Sequence, residues 1–325
     1  MFRTLVLALG SLVLAGVSAQ AQIKVDPALP DYAKSAAGVS GSIKSIGSDT
    51  MNNLMSLWAE GFKKNYPNVR IEIEGKGSAT APAALIQGTA QFGPMSRPMK
   101  DKEIDEFKKK FGYAPTGIPT SIDMLAVYVH KDNPLASLSF EQIDAIFSKT
   151  RKRGGTKDIV TWGDLGLTGE WADKPISTYG RNAASGTYGY FKEHALANGD
   201  FKDTVKEQPG SSAVVQAIAS DKFAIGYSGI GYKTADVRAL PINAKNGVKP
   251  VEAKPEFALD GTYPLARVLF VYINKNPNQP LDPLRAEFIK YLLSKQGQEV
   301  VINDGYIPLP NELAKSGLEG AGLGK

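Results

Sequence analysis

The stretch STYGRNAASGTYGYFKEHAL, residues 177–196, runs from a predicted strand through a short turn into a predicted helix. It places Arg181 four positions before Ser185, and Gly186 and Thr187 follow where the helix should begin. The free N–H groups and the positive dipole end of a helix N-terminus favour a bound anion. A guanidinium, two hydroxyls and a helix start in one segment therefore predict an anion-binding strand–helix unit.

Two further segments repeat this design of glycine and hydroxyl residues before a helix: IGSDTM (46–51) and GKGSATAP (75–82). One such segment alone is typical of ordinary N-capping. Three in one chain, with an arginine beside the last, favour convergence on one small tetrahedral oxyanion. No Walker loop and no Gly-x-Ser-x-Gly elbow occurs, so we expect a binding protein rather than an enzyme. The polar candidates in these two segments are Ser48, Asp49, Thr50 and Ser78.

The rest of the chain alternates between strand and helix patterns, which predicts an α/β fold. The segment TAPAALIQG is a helix that Gly88 should end, and DKEIDEFKKKFG is one that Gly112 should end. The run SIDMLAVYVHKDNP is predicted to be extended. We expect the glycine-rich tail, residues 316–325, to fray.

Composition excludes several classes of site and partner. The 325 residues suit two domains and contain no cysteine, which rules out disulfides and thiol chemistry. The two histidines are not grouped at metal-ligand spacing, so we expect no metal site and no cofactor. The net charge of +5 comes from scattered lysines, and the basic cluster at 149–155 lies in a glycine-rich loop, so no nucleic-acid partner is expected. Residues 1–21 predict a signal peptide that is cleaved after Ala21, and its apolar run is too short to span a bilayer.

The chain contains the segments GSDTMNNLMSLWAEGFKKNYPNV (47–69), GKGSATAPAALIQGTAQFGPMSRPMK (75–100), GRNAASGTYGYFKE (180–193) and QGQEVVINDGYIPLP (296–310). Together these four segments resemble the phosphate-binding proteins of high-affinity phosphate ABC importers in their Pseudomonas-like form. The resemblance extends from about Val25 to Pro310. It implies a type II periplasmic binding protein fold, in which two α/β lobes joined by a two-stranded hinge close over phosphate. It also implies a periplasmic monomer, with an extracellular location left open, that serves a membrane permease and its ATPase subunits. We expect lobe one at 40–124 and 265–325, and lobe two at 125–264.

Carried over position by position, the resemblance also implies a set of ligand-binding residues. The chain departs from the better-known members at Arg97, which follows Ser96 where they have an aspartate that accepts the phosphate proton. It departs again at Ala183, where they have the acid that pairs with the arginine. The partner of Arg181 and the proton acceptor are therefore open. The residues placed at the ligand are Asp49, Thr50, Ser78, Arg181, Ser185, Gly186 and Thr187.

A carboxylate in the cleft would distinguish phosphate, which carries a proton at neutral pH, from sulfate, which carries none. Asp49 and Asp123 are the candidates, and Asp123 is favoured because Asp49 has a capping role available. Asp123 lies between two apolar residues at the expected hinge, and the alternative is an acid paired with a surface lysine. Arg97 is either a ligand residue or a surface arginine.

Two other functions stay open: a carrier of sulfate, molybdate or another oxyanion, and a secreted adhesin that retains the fold. Near the third segment, Tyr188, Tyr190 and Phe191 are interpreted as wall and core residues. Ser211 and Ser212 begin a later helix and are interpreted as a simple cap.

Overall fold

The computed structural model describes residues 23–244 and 248–324, so the predicted signal peptide lies outside the described residues. The strands are β1 (Gly41–Ile46), β2 (Val69–Glu74), β3 (Gly93–Met95), β4 (Thr116–His130), β5 (Leu138–Ser139), β6 (Ser177–Arg181), β7 (Lys206–Gln208), β8 (Ala224–Gly229), β9 (Val237–Ala239), β10 (Ile242–Asn243) and β11 (Ala266–Ile273). The α-helices are α1 (Asn52–Asn65), α2 (Thr80–Gln87), α3 (Asp101–Phe111), α4 (Phe140–Phe147), α5 (Gly186–His194), α6 (Ser211–Ser220), α7 (Pro255–Leu259), α8 (Pro283–Leu292), α9 (Lys295–Asn303) and α10 (Asn311–Gly320). Short 3-10 helices lie at Asp49–Met51, Gly163–Leu165, Gly169–Trp171 and Ile230–Tyr232.

Strand β4 connects the two halves of the molecule. Up to Met124 it pairs antiparallel with β11, and from Leu125 onward it pairs antiparallel with β8 and β9. Strand β11 also pairs with β3, while β6 runs parallel to β8 and to β7. The apolar run predicted to be extended is thus the centre of a seven-stranded sheet among the described residues.

The sheet extends into two lobes, and helices pack against it in each lobe. Lobe one contains the parallel pair β1–β2, which reaches β3 through a bridge between Ser45 and Phe92, together with α1–α3 and α8–α10. Lobe two contains β6–β9 with α4–α6. The main core contains Trp58 and Phe62 of α1 and Phe288 of α8, all without solvent exposure. Strands β4 and β11 pass between the lobes and form the two-stranded connection.

Glycines end two helices in the middle of the chain, but the glycine-rich C-terminal segment is itself helical. Gly88 and Gly112 follow α2 and α3 in the left-handed conformation, with φ of 72° and 80°, as predicted. The expectation of a frayed tail is wrong because α10 continues to Gly320. Gly317 lets this helix approach the core closely, since a Cβ there would lie 3.1 Å from Leu293 Cδ1. Among residues 23–244 and 248–324, no helix is sufficiently long and apolar to cross a bilayer.

Candidate anion-binding site

The structure brings the three predicted helix starts together between the lobes. Ser48 precedes the 3-10 helix that leads into α1, and Ser185 is the N-cap of α5. Thr50 Oγ1 of lobe one lies 2.9 Å from Thr187 Oγ1 of lobe two. Ala79 N, at the start of α2, donates a hydrogen bond of 3.0 Å to Ala184 O across the cleft. The lobes are therefore in direct contact around these helix N-termini.

The first residue of α5 lies against two serine hydroxyls of lobe one. A Cβ on Gly186 would lie 2.3 Å from Ser78 Oγ and 2.6 Å from Ser96 Oγ, so a larger residue would require these serines to shift. Ser78 Oγ accepts a hydrogen bond of 3.0 Å from Ser96 N, which fixes the two serines relative to each other. The Ser185 hydroxyl accepts from Thr187 N and Tyr188 N and so caps the helix.

Arg181 is 1% exposed and lies at the end of β6. Its Nη1 donates a hydrogen bond of 2.6 Å to Ser211 Oγ, and its Nη2 lies 3.2 Å from Asp49 Oδ2. The partner that the sequence left open is therefore Asp49 of lobe one. The interpretation of Ser211 as a simple cap is wrong, because its hydroxyl binds Arg181 and its N–H donates to Asp49 Oδ2 at 2.8 Å. Burial lowers the pKa of Arg181, although nearby Asp49 opposes this shift.

Two buried donors of this site lack a partner. Among the described residues, Arg181 Nε and Ser48 Oγ belong to the few buried side-chain polar atoms without a hydrogen bond. Buried polar groups in folded proteins are nearly always paired, because an unpaired group loses its hydration without compensation. Both atoms are therefore able to donate a hydrogen bond to a further partner.

Asp123 is 0% exposed and forms a buried ion pair that no sequence pattern indicates. Arg267 lies opposite it in the β4–β11 register, and its Nε and Nη2 donate to Asp123 Oδ2 at 3.0 and 2.7 Å. Ile230 N donates to Oδ1 at 3.0 Å. The basic group that a buried acid requires is thus a hinge-strand arginine, and the alternative of a surface lysine is wrong. No local motif marks Arg267, since LARVLFVYINK is an ordinary strand pattern.

This geometry accompanies clear similarity to known binding proteins. Residues 33–296 match the family model described as PBP superfamily domain. Over 312 residues the chain is 56% identical to the phosphate-binding protein PstS of Pseudomonas aeruginosa, with 96% of each chain covered. The chain belongs to the PstS family. The family resemblance inferred from the sequence is confirmed, and so is the expectation of a solute-binding protein rather than an enzyme.

Solved structures confirm the type II periplasmic binding fold. A structure from Clostridium perfringens, described as a phosphate ABC transporter substrate-binding protein with bound phosphate, matches with a TM-score of 0.70 and 25% identity. The match covers 83% of this chain and all of that one. The fold of an ABC-type phosphate transport receptor from Vibrio cholerae matches with a TM-score of 0.63 and 22% identity, covering 82% of this chain and all of the other.

Arg97, for which the sequence left a ligand role and a surface position open, forms an ion pair with Glu103. It is 8% exposed, and its Nη1 and Nη2 donate to the Glu103 carboxylate of α3 at 2.8 and 2.6 Å. Burial favours a raised pKa for Glu103, but the bonds from Arg97 and the Lys100 N–H outweigh burial and lower it. The Arg97 stem lies near α5, where a Cβ on Gly189 would be 3.5 Å from Arg97 Cδ. Arg97 is therefore an interlobe residue with an ion pair of its own rather than a surface arginine.

Two tyrosines that the sequence did not indicate bind the backbone of the first predicted anion-binding turn. Tyr232 of lobe two donates to Asp49 O at 3.0 Å and to Thr50 O at 3.2 Å. Tyr306 of lobe one donates to Thr50 O at 2.8 Å. Tyrosine hydroxyls far away in sequence carry no signature of such contacts, so only the fold reveals them.

Proposed function

We propose that this member of the PstS family captures inorganic phosphate between its lobes and delivers it to an ABC-type permease with its ATPase subunits. The observation that carries the proposal is the pair of unpartnered buried donors, Arg181 Nε and Ser48 Oγ, at the meeting point of three helix starts. The names and bound phosphate of the related proteins support the same ligand. Ser48, Ser78, Ser96, Gly186 and Thr187 are the neutral donors proposed to surround it.

Charge balance determines how the anion would be held. Arg181 is paired with Asp49, and Arg267 is paired with Asp123, so these four side chains have no net charge. The charge of the anion is therefore met by hydroxyls, by helix N–H groups and by the dipole ends of the helices. The closed lobes exclude water, which strengthens each of these hydrogen bonds.

Three further aspects of the proposal concern the whole chain. We propose that residues 1–21 direct export to the periplasm and that the mature protein works there as a monomer. We also propose lobe boundaries at 124/125 and 264/265. The change of partner along β4 between Met124 and Leu125 supports the first boundary.

Calorimetry on the full chain, freed of bound anion by unfolding and refolding, tests the function. We expect phosphate to bind with released heat and one site per chain, and sulfate and molybdate to bind far more weakly. Preferential binding of sulfate or molybdate would show that the protein carries that oxyanion rather than phosphate. Absence of heat with all three anions would contradict a transport role and leave the adhesin alternative.

Replacing Arg181 by alanine tests the observation that carries the proposal. Loss of a charge-assisted donor in a closed site should weaken phosphate binding by about 1.5 to 3 kcal/mol, measured by the same calorimetry. Arg238→Ala is the matched control, because Arg238 donates to Asn133 O and Leu135 O beside the far end of β4. Equal dissociation constants for the parent and Arg181→Ala would remove Arg181 from the site.

A further inference from the structure

A chain of hydrogen bonds connects the hinge to both lobes through Arg267. Its Nη2 donates to Thr187 Oγ1 at 2.9 Å while the same guanidinium holds Asp123. Thr187 Oγ1 lies in turn 2.9 Å from Thr50 Oγ1. The chain therefore runs from the buried acid of β4 through Arg267 to two hydroxyls that meet between the lobes.

The donor inventory of these groups determines where the hydroxyl protons point. A guanidinium has no acceptor, so neither threonine can donate a proton to Arg267. Arg267 occupies one lone pair of Thr187 Oγ1, and one of the two hydroxyl protons forms the bond between the threonines. The second hydroxyl proton is left over, and Arg267 cannot accept it.

The guanidinium itself is held from several sides, so its direction is fixed. Its Nη1 donates to Ser96 O at 2.8 Å, and its Cζ lies 5.3 Å from the centre of the Tyr190 ring. The Tyr190 hydroxyl donates to Ala266 O at 2.7 Å, which anchors this ring to the hinge strand. Arg267 is 5% exposed, so water does not compete for these bonds.

We propose that Arg267 is a positioning residue of the anion site: it orients the Thr50–Thr187 hydroxyl pair so that one proton is always available to the bound anion. The inference rests on the proposed function, because it assigns the residue a role toward the same ligand. It also explains why a buried carboxylate is tolerated here, since Asp123 holds Arg267 and is neutralised by it.

The test compares Arg267 variants with and without the Thr187 hydroxyl. Because Arg267→Gln alone leaves Asp123 as an unpaired buried charge, the main variant is the neutral pair Asp123→Asn with Arg267→Gln. Calorimetry with inorganic phosphate measures the dissociation constant, and thermal unfolding of the anion-free protein measures folding. The matched control is Arg238→Gln, since Arg238 also donates to backbone carbonyls but lies outside the cleft.

We expect the neutral pair to fold and to raise the phosphate dissociation constant about tenfold or more, the effect of one oriented hydrogen bond to a charged ligand. In a Thr187→Val background the same replacement should change the constant less than about twofold, because Arg267 acts through that hydroxyl. Thr187→Ser should restore dependence on Arg267, since serine supplies the oxygen again.

Three outcomes would overturn the inference. An unchanged dissociation constant in the neutral pair would show that Arg267 does not act on the anion site. An equal loss in the parent and Thr187→Val backgrounds would show that Arg267 acts independently of Thr187. A parent chain that binds no phosphate would overturn the proposed function and the inference with it. In the first two outcomes the parent chain still binds phosphate, so the proposed function stands and only the role of Arg267 is overturned.

Discussion

At the scale of single residues, the carboxylates of Asp49 and Asp123 differ in how many of their oxygens have a hydrogen-bond partner. Both oxygens of Asp123 are engaged, Oδ2 by Arg267 and Oδ1 by Ile230 N. The contacts from Arg181 and Ser211 to Asp49 both reach Oδ2. Asp49 therefore has the more available oxygen, and this geometry favours it over Asp123 as the acceptor of the phosphate proton.

Replacing Asp49 by asparagine tests this assignment. Asparagine keeps the size and an acceptor oxygen but removes the negative charge that repels a fully ionised anion. We expect sulfate affinity relative to phosphate affinity to rise about tenfold or more, each factor of ten being about 1.4 kcal/mol. Competition calorimetry with both anions measures the ratio, which cancels any general gain from freeing Arg181.

The matched comparison is Asp123→Asn, which removes the other cleft carboxylate. If that variant admits sulfate while Asp49→Asn rejects it as the parent does, the proton acceptor is Asp123 as the sequence analysis favoured. If both variants reject sulfate, selectivity depends on hydroxyl and backbone donors alone.

The sequence predicts residues of the cleft between the lobes where a local motif marks them. Gly186 was found because it belongs to a strand–turn–helix segment, and Ser78 because it follows a glycine before a helix. Arg267 and Tyr232 lie in segments that look ordinary. Their contacts with Asp123 and Asp49 depend on strand register and lobe packing, which one sequence does not reveal.

At the scale of elements, the N-terminal segment before β1 is held on α8 by one buried acid. Glu287 is 1% exposed and accepts hydrogen bonds from Tyr32 Oη at 2.7 Å, from Tyr66 Oη at 3.0 Å and from the Ser35 hydroxyl. Burial favours a raised pKa for Glu287, but these hydrogen bonds outweigh burial and lower its pKa to about 2. The segment is thus part of lobe one, a packing that its polar sequence does not predict.

Glu287→Gln should lower the free energy of unfolding by about 1 to 3 kcal/mol at pH 7, because it weakens charge-assisted hydrogen bonds in a buried site. The folded pKa lies below the ordinary value of 4.5, so the contribution is fully present above pH 4.5. It is lost as the pH falls through the folded pKa of about 2. The difference between parent and variant should therefore shrink as the pH falls below 4.5.

Urea unfolding at a series of pH values measures this difference. Glu299→Gln on the neighbouring helix α9 is the control, because Glu299 is exposed and should change stability little. A Glu287→Gln variant as stable as this control at pH 7 would contradict the anchoring role.

At the scale of the whole molecule, the two lobes are in contact through small residues at helix starts. Gly186 of α5 meets Ser78 and Ser96, and a Cβ on Gly77 would lie 2.5 Å from Ala184 O. The α/β class follows from alternating patterns and the extended form of β4 from its apolar run, whereas the hinge crossing at β4 was implied by the family resemblance. The close contact between the lobes cannot be predicted from the sequence, because it depends on how two separate surfaces fit together.

Gly186→Ala tests whether affinity depends on this close fit. The residue begins α5, where alanine suits the helix, so folding of the anion-free protein should be unimpaired. The new Cβ would lie 2.3 Å from Ser78 Oγ only when the lobes are closed, and it should therefore hold them apart. Overpacking typically costs about 1 to 3 kcal/mol, so we expect the phosphate dissociation constant to rise about tenfold or more.

Small-angle scattering with saturating phosphate should show a larger radius of gyration for Gly186→Ala than for the parent. Gly189→Ala on the same helix is the matched control, because its Cβ would meet Arg97 Cδ at an ordinary 3.5 Å. If Gly186→Ala raises the phosphate dissociation constant and the radius of gyration while Gly189→Ala does not, the close approach at Gly186 causes both changes. Equal affinities and equal radii for the two alanine variants would mean that the cleft accommodates the extra methyl group, and that phosphate affinity does not depend on contact between α5 and the serines of lobe one.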